Sequence, residues 1–248
     1  MARPERPRKR VKSKRRPLGG SVGGFLRGLF LAAVLIALAL PIVWVLAYRY
    51  VPPPITVLMV ERAFQGHGID HRWRPISKIS PDVVRAAIAS EDAHFCGHNG
   101  FDLQAIDKAL AHDERHRGRL RGGSTISQQT AKNVFLWPER SWVRKGVEAW
   151  FTVLIEQFWG KRRIMEVYLN TVEMGPGVYG VEAASRRYFH TDAADLTSAE
   201  AARLVAVLPN PLNWSARAPG SYVRKRTGRI DARANVVDGR GLADCVLR

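Results

Sequence analysis

Cysteine is scarce in this chain. Only Cys96 and Cys245 occur among 248 residues, and no C-x-x-C pair is present. Two cysteines are too few for a disulfide framework, and without a C-x-x-C pair the usual signature of a zinc site is missing. The two thiols can pair if their compartment is oxidising. A Walker glycine loop is also missing, which excludes a P-loop nucleotide site.

Acidic residues are outnumbered by basic ones, 22 to 39, and the formal net charge is +17. Such an excess is typical of proteins that bind nucleic acid, a membrane surface or a phosphorylated substrate. The chain length allows one domain of ordinary size with an appendage and excludes two full-size catalytic domains. Residues 1–20 hold nine Lys or Arg and a single acid, Glu5. With almost no apolar residues, this segment is predicted to be a disordered tail.

A long apolar run follows the basic tail. Gly28 to Ala47 is uncharged, and about 20 helical residues span roughly 30 Å, the hydrocarbon thickness of a bilayer. A cleaved signal peptide would have a shorter core and a small-x-small site, so we predict an uncleaved anchor over residues 25–50. The basic tail, residues 1–24, should stay in the cytoplasm and the chain from residue 51 should be exported, which argues against a nucleic-acid partner.

Helical patterns dominate the exported part, and no convincing alternating strand is present. Residues 51–80 look irregular. Ser80 followed by a proline predicts the start of the first helix, and capping boxes pair Thr125 with Gln128 and Thr197 with Glu200. Further predicted helices follow Asp102 through Leu110 and cover residues 141–159 and 161–170. The fold class is therefore predicted to be mainly α.

Glu91 is the first candidate catalytic residue. It lies at the end of the first predicted helix beside Asp92. The negative end of the helix dipole and the acidic neighbour both disfavour its charged form, as suits a carboxyl that exchanges protons at neutral pH. The alternative is an ordinary pair of surface acids.

Residues 124–133 are a candidate diphosphate cradle. Two glycines precede the helix, so its first N–H groups should be open to an anion. Thr125, Gln129 and Lys132 are spaced to share one helix face. The alternative is an ordinary capped helix with an exposed lysine.

A third cluster combines cations with a carboxylate. Arg144 and Glu148 are four residues apart and Lys145 and Glu148 three apart, which suggests either a weak surface ion-pair cluster or a phosphate-binding patch. The seven histidines show no metal-ligand spacing; His94 and His98 are four apart without a third ligand nearby.

Six ordered segments of the chain resemble the motifs of the peptidoglycan glycosyltransferases, glycosyltransferase family 51. The segments are EDAHFCGHNGFD (91–102), GGSTISQQTAKN (122–133), RKGVE (144–148), KRRIMEVYLN (161–170), GPGVYGVEAASRRYF (175–189) and LTSAEAARLVAVLPNP (196–211). The likeness covers residues 51–225 and leaves 226–248 as a C-terminal extension. The short tail, the single anchor and the lone domain are similar to those of the monofunctional members. The Ser-x-x-Lys motif of a transpeptidase domain does not occur in the sequence.

This resemblance implies a lysozyme-like glycosyltransferase domain with a small jaw subdomain, preceded by one transmembrane helix. Glu91 matches the base that deprotonates the acceptor 4-hydroxyl, and Glu148 matches the glutamate that assists the leaving diphosphate. The resemblance allows a divalent cation, Mg²⁺ or Mn²⁺, near Glu148 and implies no organic cofactor. Ser127 departs from the threonine of many members. The remaining matched positions bind the donor: Ser124, Thr125, Gln128, Gln129, Lys132, Arg140, Arg144 and Lys145.

The function implied is polymerisation of glycan chains at the bacterial inner membrane, with the catalytic domain in the periplasm. The partners implied are lipid II (a disaccharide-pentapeptide on undecaprenyl diphosphate), the nascent glycan, the membrane, and proteins of cell division or elongation. A lysozyme-like wall hydrolase has no leaving diphosphate and needs no cationic cluster. A non-catalytic membrane scaffold would not need Glu91 and Glu148 together.

Overall fold

The computed structural model describes residues 22–107, 123–139 and 141–248. It divides into two compact units, residues 1–40 and residues 41–248. The predicted disordered tail lies outside the described residues, as do Arg140 and the last three residues of the helix predicted from Asp102 through Leu110.

The first helix, α1 (Val22–Tyr50), contains the predicted anchor. Its stretch from Gly23 to Tyr50 has a mean hydropathy of 2.9 and is, within the described ranges, the one helix long and apolar enough to cross a membrane. Large apolar side chains such as Phe25 and Leu35 are exposed along it. This exposure is expected of a helix whose surroundings are lipid.

The prediction of a mainly α fold is confirmed. The predicted caps at Ser80, Thr125 and Thr197 all accept hydrogen bonds from backbone N–H groups. The helices are α2 (Val57–Phe64), α3 (Pro81–Glu91), α4 (Ile126–Phe135), α5 (Trp142–Phe158), α6 (Lys161–Thr171), α7 (Val181–Phe189), α8 (Ser198–Ala206), α9 (Ser221–Gly239) and α10 (Asp244–Leu247), with 3-10 turns at Ile76–Lys78, Phe95–Gly97 and Ala193–Asp195.

A small sheet is present in residues 51–248, where the sequence shows no convincing alternating strand. It consists of β1 (Asp70–His71), β2 (Glu173–Gly175) and β3 (Val178–Tyr179) in the order β1-β3-β2. β3 pairs parallel with β1, Asp70 opposite Val178, and antiparallel with β2 through an irregular register. Strands of two or three residues are too short to show alternation in the sequence.

Two helices lie where the sequence predicted none. α2 falls within residues 51–80, which were predicted to be irregular. α9 runs across the predicted boundary between residues 225 and 226 and packs against α3 and α8. The chain beyond α9 is tied back by a disulfide between Cys96 and Cys245, with Cα atoms 5.7 Å apart, and an ion pair of 2.8 Å joins Arg85 of α3 to Asp238 of α9.

The core of residues 41–248 lies between the helices, where Ile88, Tyr168 and Leu204 are fully buried. The last turns of α1 belong to this unit. Val45 is fully buried, and its carbonyl accepts a hydrogen bond of 2.8 Å from Trp159 Nε1. The end of α1 is therefore a packed part of this unit, anchored by hydrogen bonding as well as by apolar contact.

Candidate active site

Glu91 is the last residue of α3, and other side chains hold both of its carboxylate oxygens. Oε1 accepts hydrogen bonds from Ser90 Oγ at 2.8 Å and from Arg226 Nη2 at 3.2 Å. Oε2 accepts one of 3.2 Å from Gln129 Nε2. The side chain is 14% exposed. These contacts from three elements fix the orientation of the carboxylate and leave it reachable from solvent.

Asp92 supports this arrangement rather than acting as a free acid beside Glu91. Its carboxylate bonds to His98 Nε2 at 2.9 Å and accepts the N–H of Ile126 at 3.0 Å. The Thr125 hydroxyl donates to the carbonyl of Gly100 at 2.6 Å. The loop after α3 is thereby fastened to the start of α4, which sets Glu91 beside Gln129.

Three N–H groups at the start of α4 donate to side chains, whereas the sequence predicted that the first N–H groups are open to an anion. The Ile126 N–H donates to Asp92, and the Gln128 N–H donates to the Thr125 hydroxyl at 3.2 Å. Gln128 Oε1 in turn accepts the Thr125 N–H at 3.0 Å. The capping box predicted from the sequence and Asp92 therefore occupy three N–H groups that a diphosphate could have used. Side chains that line the cavities are the stronger candidates for an anion site here.

A small cavity of about 170 Å³ lies against Glu91. It is also lined by His94, Asp102, Ser124 and Thr125. His94 Nδ1 is 2.7 Å from Asp102 Oδ2. Burial by itself raises the pKa of Asp102, but hydrogen bonds from the Ala105 N–H and from His94 outweigh it, so the pKa lies below its usual value.

A larger cavity of about 550 Å³ is lined by most of the predicted donor-site residues. They are Ser124, Gln128, Gln129, Lys132, Arg144 and Lys145, and the predicted catalytic Glu148 lines the same cavity. Ser124 lines both cavities, and Gln129 lines the larger one while it bonds to Glu91. The two cavities therefore adjoin at the start of α4, with the carboxylate of Glu91 on one side and the cations on the other.

Glu148 is buried between two cations of its own helix. Arg144 Nη1 donates to Oε2 at 2.7 Å and Lys145 Nζ donates to Oε1. The Glu148 side chain is 4% exposed and that of Arg144 is 11% exposed. The Arg144–Glu148 pair is therefore not a solvated surface ion pair, whereas the side chain of Lys145 is 42% exposed. All three residues line the larger cavity, and water screens the buried pair only weakly.

The residues around Glu148 do not suit a metal ion held by the protein alone. Both carboxylate oxygens bond to cationic side chains. Within residues 22–107, 123–139 and 141–248, no group of three or more His, Cys, Asp or Glu side chains could hold one. We assign no catalytic step to a metal.

Sequence reasoning missed three residues of this site. Arg226 was placed in the C-terminal extension, yet its guanidinium is the cation that contacts Glu91. Arg62 and Glu173 line the larger cavity but come from an apparently irregular segment and an unrecognised strand. No local pattern marks them, because each reaches the site only through tertiary packing. Arg140, predicted to bind the donor, lies outside the described residues.

The anchor helix, the mainly α domain and the paired cavities define a membrane-associated enzyme of the lysozyme-like glycosyltransferase class. Residues 59–237 match the family described as Transglycosylase, and the chain belongs to that family. It is a peptidoglycan glycosyltransferase.

Relatives cover nearly the whole chain. The biosynthetic peptidoglycan transglycosylase of Caulobacter vibrioides is 59% identical over 229 residues, which are 92% of this chain and 100% of that protein. The enzyme of the same name from Rhodospirillum centenum is 54% identical over 88% of this chain and 94% of its own length. That of Xanthomonas campestris is 50% identical over 85% and 88%.

Proposed function

We propose that this enzyme transfers the growing glycan from its undecaprenyl diphosphate to the 4-hydroxyl of lipid II, with inversion. The observation that carries the proposal is the position of Glu91. Its carboxylate is held by Gln129, and Gln129 also lines the larger cavity, which contains the cations. The donor would lie in the larger cavity and the acceptor hydroxyl beside Glu91. Similarity to enzymes named biosynthetic peptidoglycan transglycosylases supports this substrate class.

The reaction needs one proton acceptor and one site for the leaving anion. As the acceptor 4-oxygen bonds to the anomeric carbon, its proton moves to Glu91. The bond from that carbon to the diphosphate oxygen breaks, and the electron pair leaves with undecaprenyl diphosphate. Lys132, Arg144 and Lys145 line the larger cavity and would stabilise the charge that develops there.

Glu148 would act on this charge indirectly. Its carboxylate fixes Arg144 and Lys145, so both cations are already oriented before the donor binds. Such pre-organisation avoids reorganisation during the reaction. A divalent cation remains a prediction, and polymerisation rates in Mg²⁺ or Mn²⁺ titrations after chelation would test it.

Membrane topology is the second part of the proposal. The basic residues before α1 favour a cytoplasmic N-terminus, and the disulfide favours an oxidising compartment for the domain. The protein would then be a single-pass inner-membrane enzyme with a periplasmic domain. Protease added to spheroplasts should digest residues 51–248. Recovery of a mature protein that starts near residue 48 would contradict an uncleaved anchor. Contact with division or elongation proteins remains a prediction.

The direct test is incubation of the detergent-solubilised protein with labelled lipid II. We expect a glycan polymer that muramidase degrades. A wall hydrolase would instead release fragments from finished peptidoglycan and make no polymer, and a scaffold would do neither. The cation-lined cavity favours the polymerase, because hydrolysis of a glycan has no leaving diphosphate to stabilise.

A further inference from the structure

Tyr168 carries a buried hydroxyl that the proposed reaction does not use. The residue lies on α6 and is fully buried, and its Oη is 3.5 Å from Oε1 of Gln129. Burial raises the pKa of Tyr168 well above its usual value, and the charges of Glu91 and Asp92 raise it further. The hydroxyl therefore keeps its proton and can donate a hydrogen bond.

The two carboxylate oxygens of Glu91 are not equivalent. Oε1 accepts hydrogen bonds from Ser90 and from the cationic Arg226. Oε2 accepts one from the neutral amide of Gln129. A donor with a positive charge binds an ionised oxygen more strongly than a neutral donor does, so Oε1 is the less basic oxygen. Oε2 is therefore the oxygen better suited to take the proton of the acceptor hydroxyl.

The orientation of the Gln129 amide decides whether Oε2 keeps its hydrogen bond. An ionised carboxylate can only accept, so the amide must turn its NH2 group toward Glu91 and its oxygen toward Tyr168. A hydroxyl that donates to this oxygen favours that orientation over one in which the amide oxygen faces the carboxylate. The contact of 3.5 Å is longer than a usual O–H···O bond, and hydrogen bonds of catalytic sites often shorten when the substrate binds.

We propose that Tyr168 is a positioning residue for Glu91. Its hydroxyl donates to Gln129 Oε1 and thereby fixes the amide whose Nε2 donates to Oε2 of Glu91. This inference rests on the proposed function, in which the proton of the acceptor hydroxyl moves to Glu91. Tyr168 itself is buried away from the substrate and neither gives nor takes a proton.

The first test removes the hydroxyl. Tyr168→Phe keeps the ring that fills the core, so the lining of both cavities is unchanged. We expect kcat for lipid II polymerisation to fall about threefold to tenfold with KM within about twofold. The acid limb of the pH–rate profile should move to higher pH, because the charged form of the carboxylate loses a donor. A loss of packing alone would lower the fraction of folded enzyme and leave the acid limb in place.

A second substitution tests whether Tyr168 acts through Gln129. Gln129→Met removes the amide and should itself lower kcat and move the acid limb to higher pH. Tyr168→Phe in this background should change neither quantity further, because the group that it positions is already absent. Equal losses for Tyr168→Phe in both backgrounds would refute the proposal.

Tyr188→Phe is the matched control. Tyr188 is partly buried, and its hydroxyl donates to the carbonyl of Met174 at 3.4 Å rather than to a residue that holds Glu91. This variant should keep the wild-type kcat and acid limb. Three other titratable groups contact Glu91, follow it in the chain or share its cavity, and they are the same in every variant: Asp92, His94 and Arg226.

The outcomes separate this inference from the proposed function. Wild-type kcat and an unmoved acid limb in folded Tyr168→Phe, with folding checked by thermal unfolding, would refute the positioning role. If that variant does not fold, 3-fluorotyrosine at position 168 keeps the hydroxyl and makes it a stronger donor. The acid limb should then move to lower pH, and an unmoved limb would refute the role. Absence of polymer from the wild type would instead refute the proposed function.

Discussion

Glu148 and Glu91 are both ion-paired carboxylates on helices, but their partners come from very different distances along the chain. Glu148 bonds to side chains three and four residues before it on α5. Glu91 is held by Gln129, 38 residues away, and by Arg226, 135 residues away. One cluster is therefore made by a single helix, while the other needs α3, α4 and α9 to pack correctly. Substitutions near Glu148 should therefore act locally, whereas changes in helix packing should disturb Glu91.

The largest effect should follow removal of the proton acceptor. Glu91→Gln keeps the shape of the side chain and one of its two acceptor oxygens but cannot take the proton from the acceptor hydroxyl. We expect the polymerisation rate to fall by about 10²–10⁴, measured with labelled lipid II. Lipid II binding and thermal unfolding should be nearly unchanged. Retained polymerisation in the folded variant would refute Glu91 as the base.

Loss of the disulfide should destabilise the helix packing that holds Glu91. The bridge joins Cys96, five positions after Glu91, to Cys245 across a sequence separation of 149 residues. Reduction should lower the free energy of unfolding by roughly 2–5 kcal/mol, measured by chemical denaturation with and without dithiothreitol.

Cys96→Ser provides the control for this experiment, because it should be as unstable as the reduced wild type and insensitive to the reductant. Equal stability of the oxidised and reduced protein would show that the bridge does not hold the end of the chain.

Glu148 and Lys145 should act together, so that removing either one has much the same effect as removing both. Lys145→Met and Glu148→Gln should each lower kcat/KM by about tenfold to a hundredfold, since each disturbs the charge that faces the diphosphate. The double variant should be little worse than the poorer single variant, because the two residues are in direct contact.

The matched comparison combines Lys145→Met with Arg226→Lys. Their losses in kcat/KM should be additive, because Lys145 contacts Glu148 and Arg226 contacts Glu91. Additive losses for Lys145→Met with Glu148→Gln would show that the ion pair does not act as a unit.

A smaller effect is expected for the guanidinium that orients Glu91. Arg226 Nη2 also bonds to Ser90 Oγ at 2.8 Å, and a lysine keeps the charge but not the planar guanidinium with its fixed donor directions. Arg226→Lys should lower kcat about threefold to tenfold, with the unfolding temperature nearly unchanged. Arg229, exposed on the same helix, is the control, and Arg229→Lys should leave the rate unaffected. Equal rates for both variants would show that Arg226 does not position Glu91.

The sequence alone determined the features that depend on residues close in the chain. It predicted the anchor from an apolar run, the helix starts from Ser80, Thr125 and Thr197, and the contact of Glu148 with Arg144 from their spacing. These follow from periodicity and capping, which act within a few residues. Resemblance to a family then supplied candidate roles for side chains whose local patterns alone were ambiguous.

Only the tertiary structure decided what lies next to Glu91 and which charged side chains line the larger cavity. It brought Arg226 and Cys245 back onto α3, buried Glu148, and placed Glu173 beside Arg62. It also showed that Asp92 and Thr125 accept the N–H groups of Ile126 and Gln128 at the start of α4. The physical reason is that burial and long-range pairing depend on how helices pack, and no short sequence window contains both partners of such a contact.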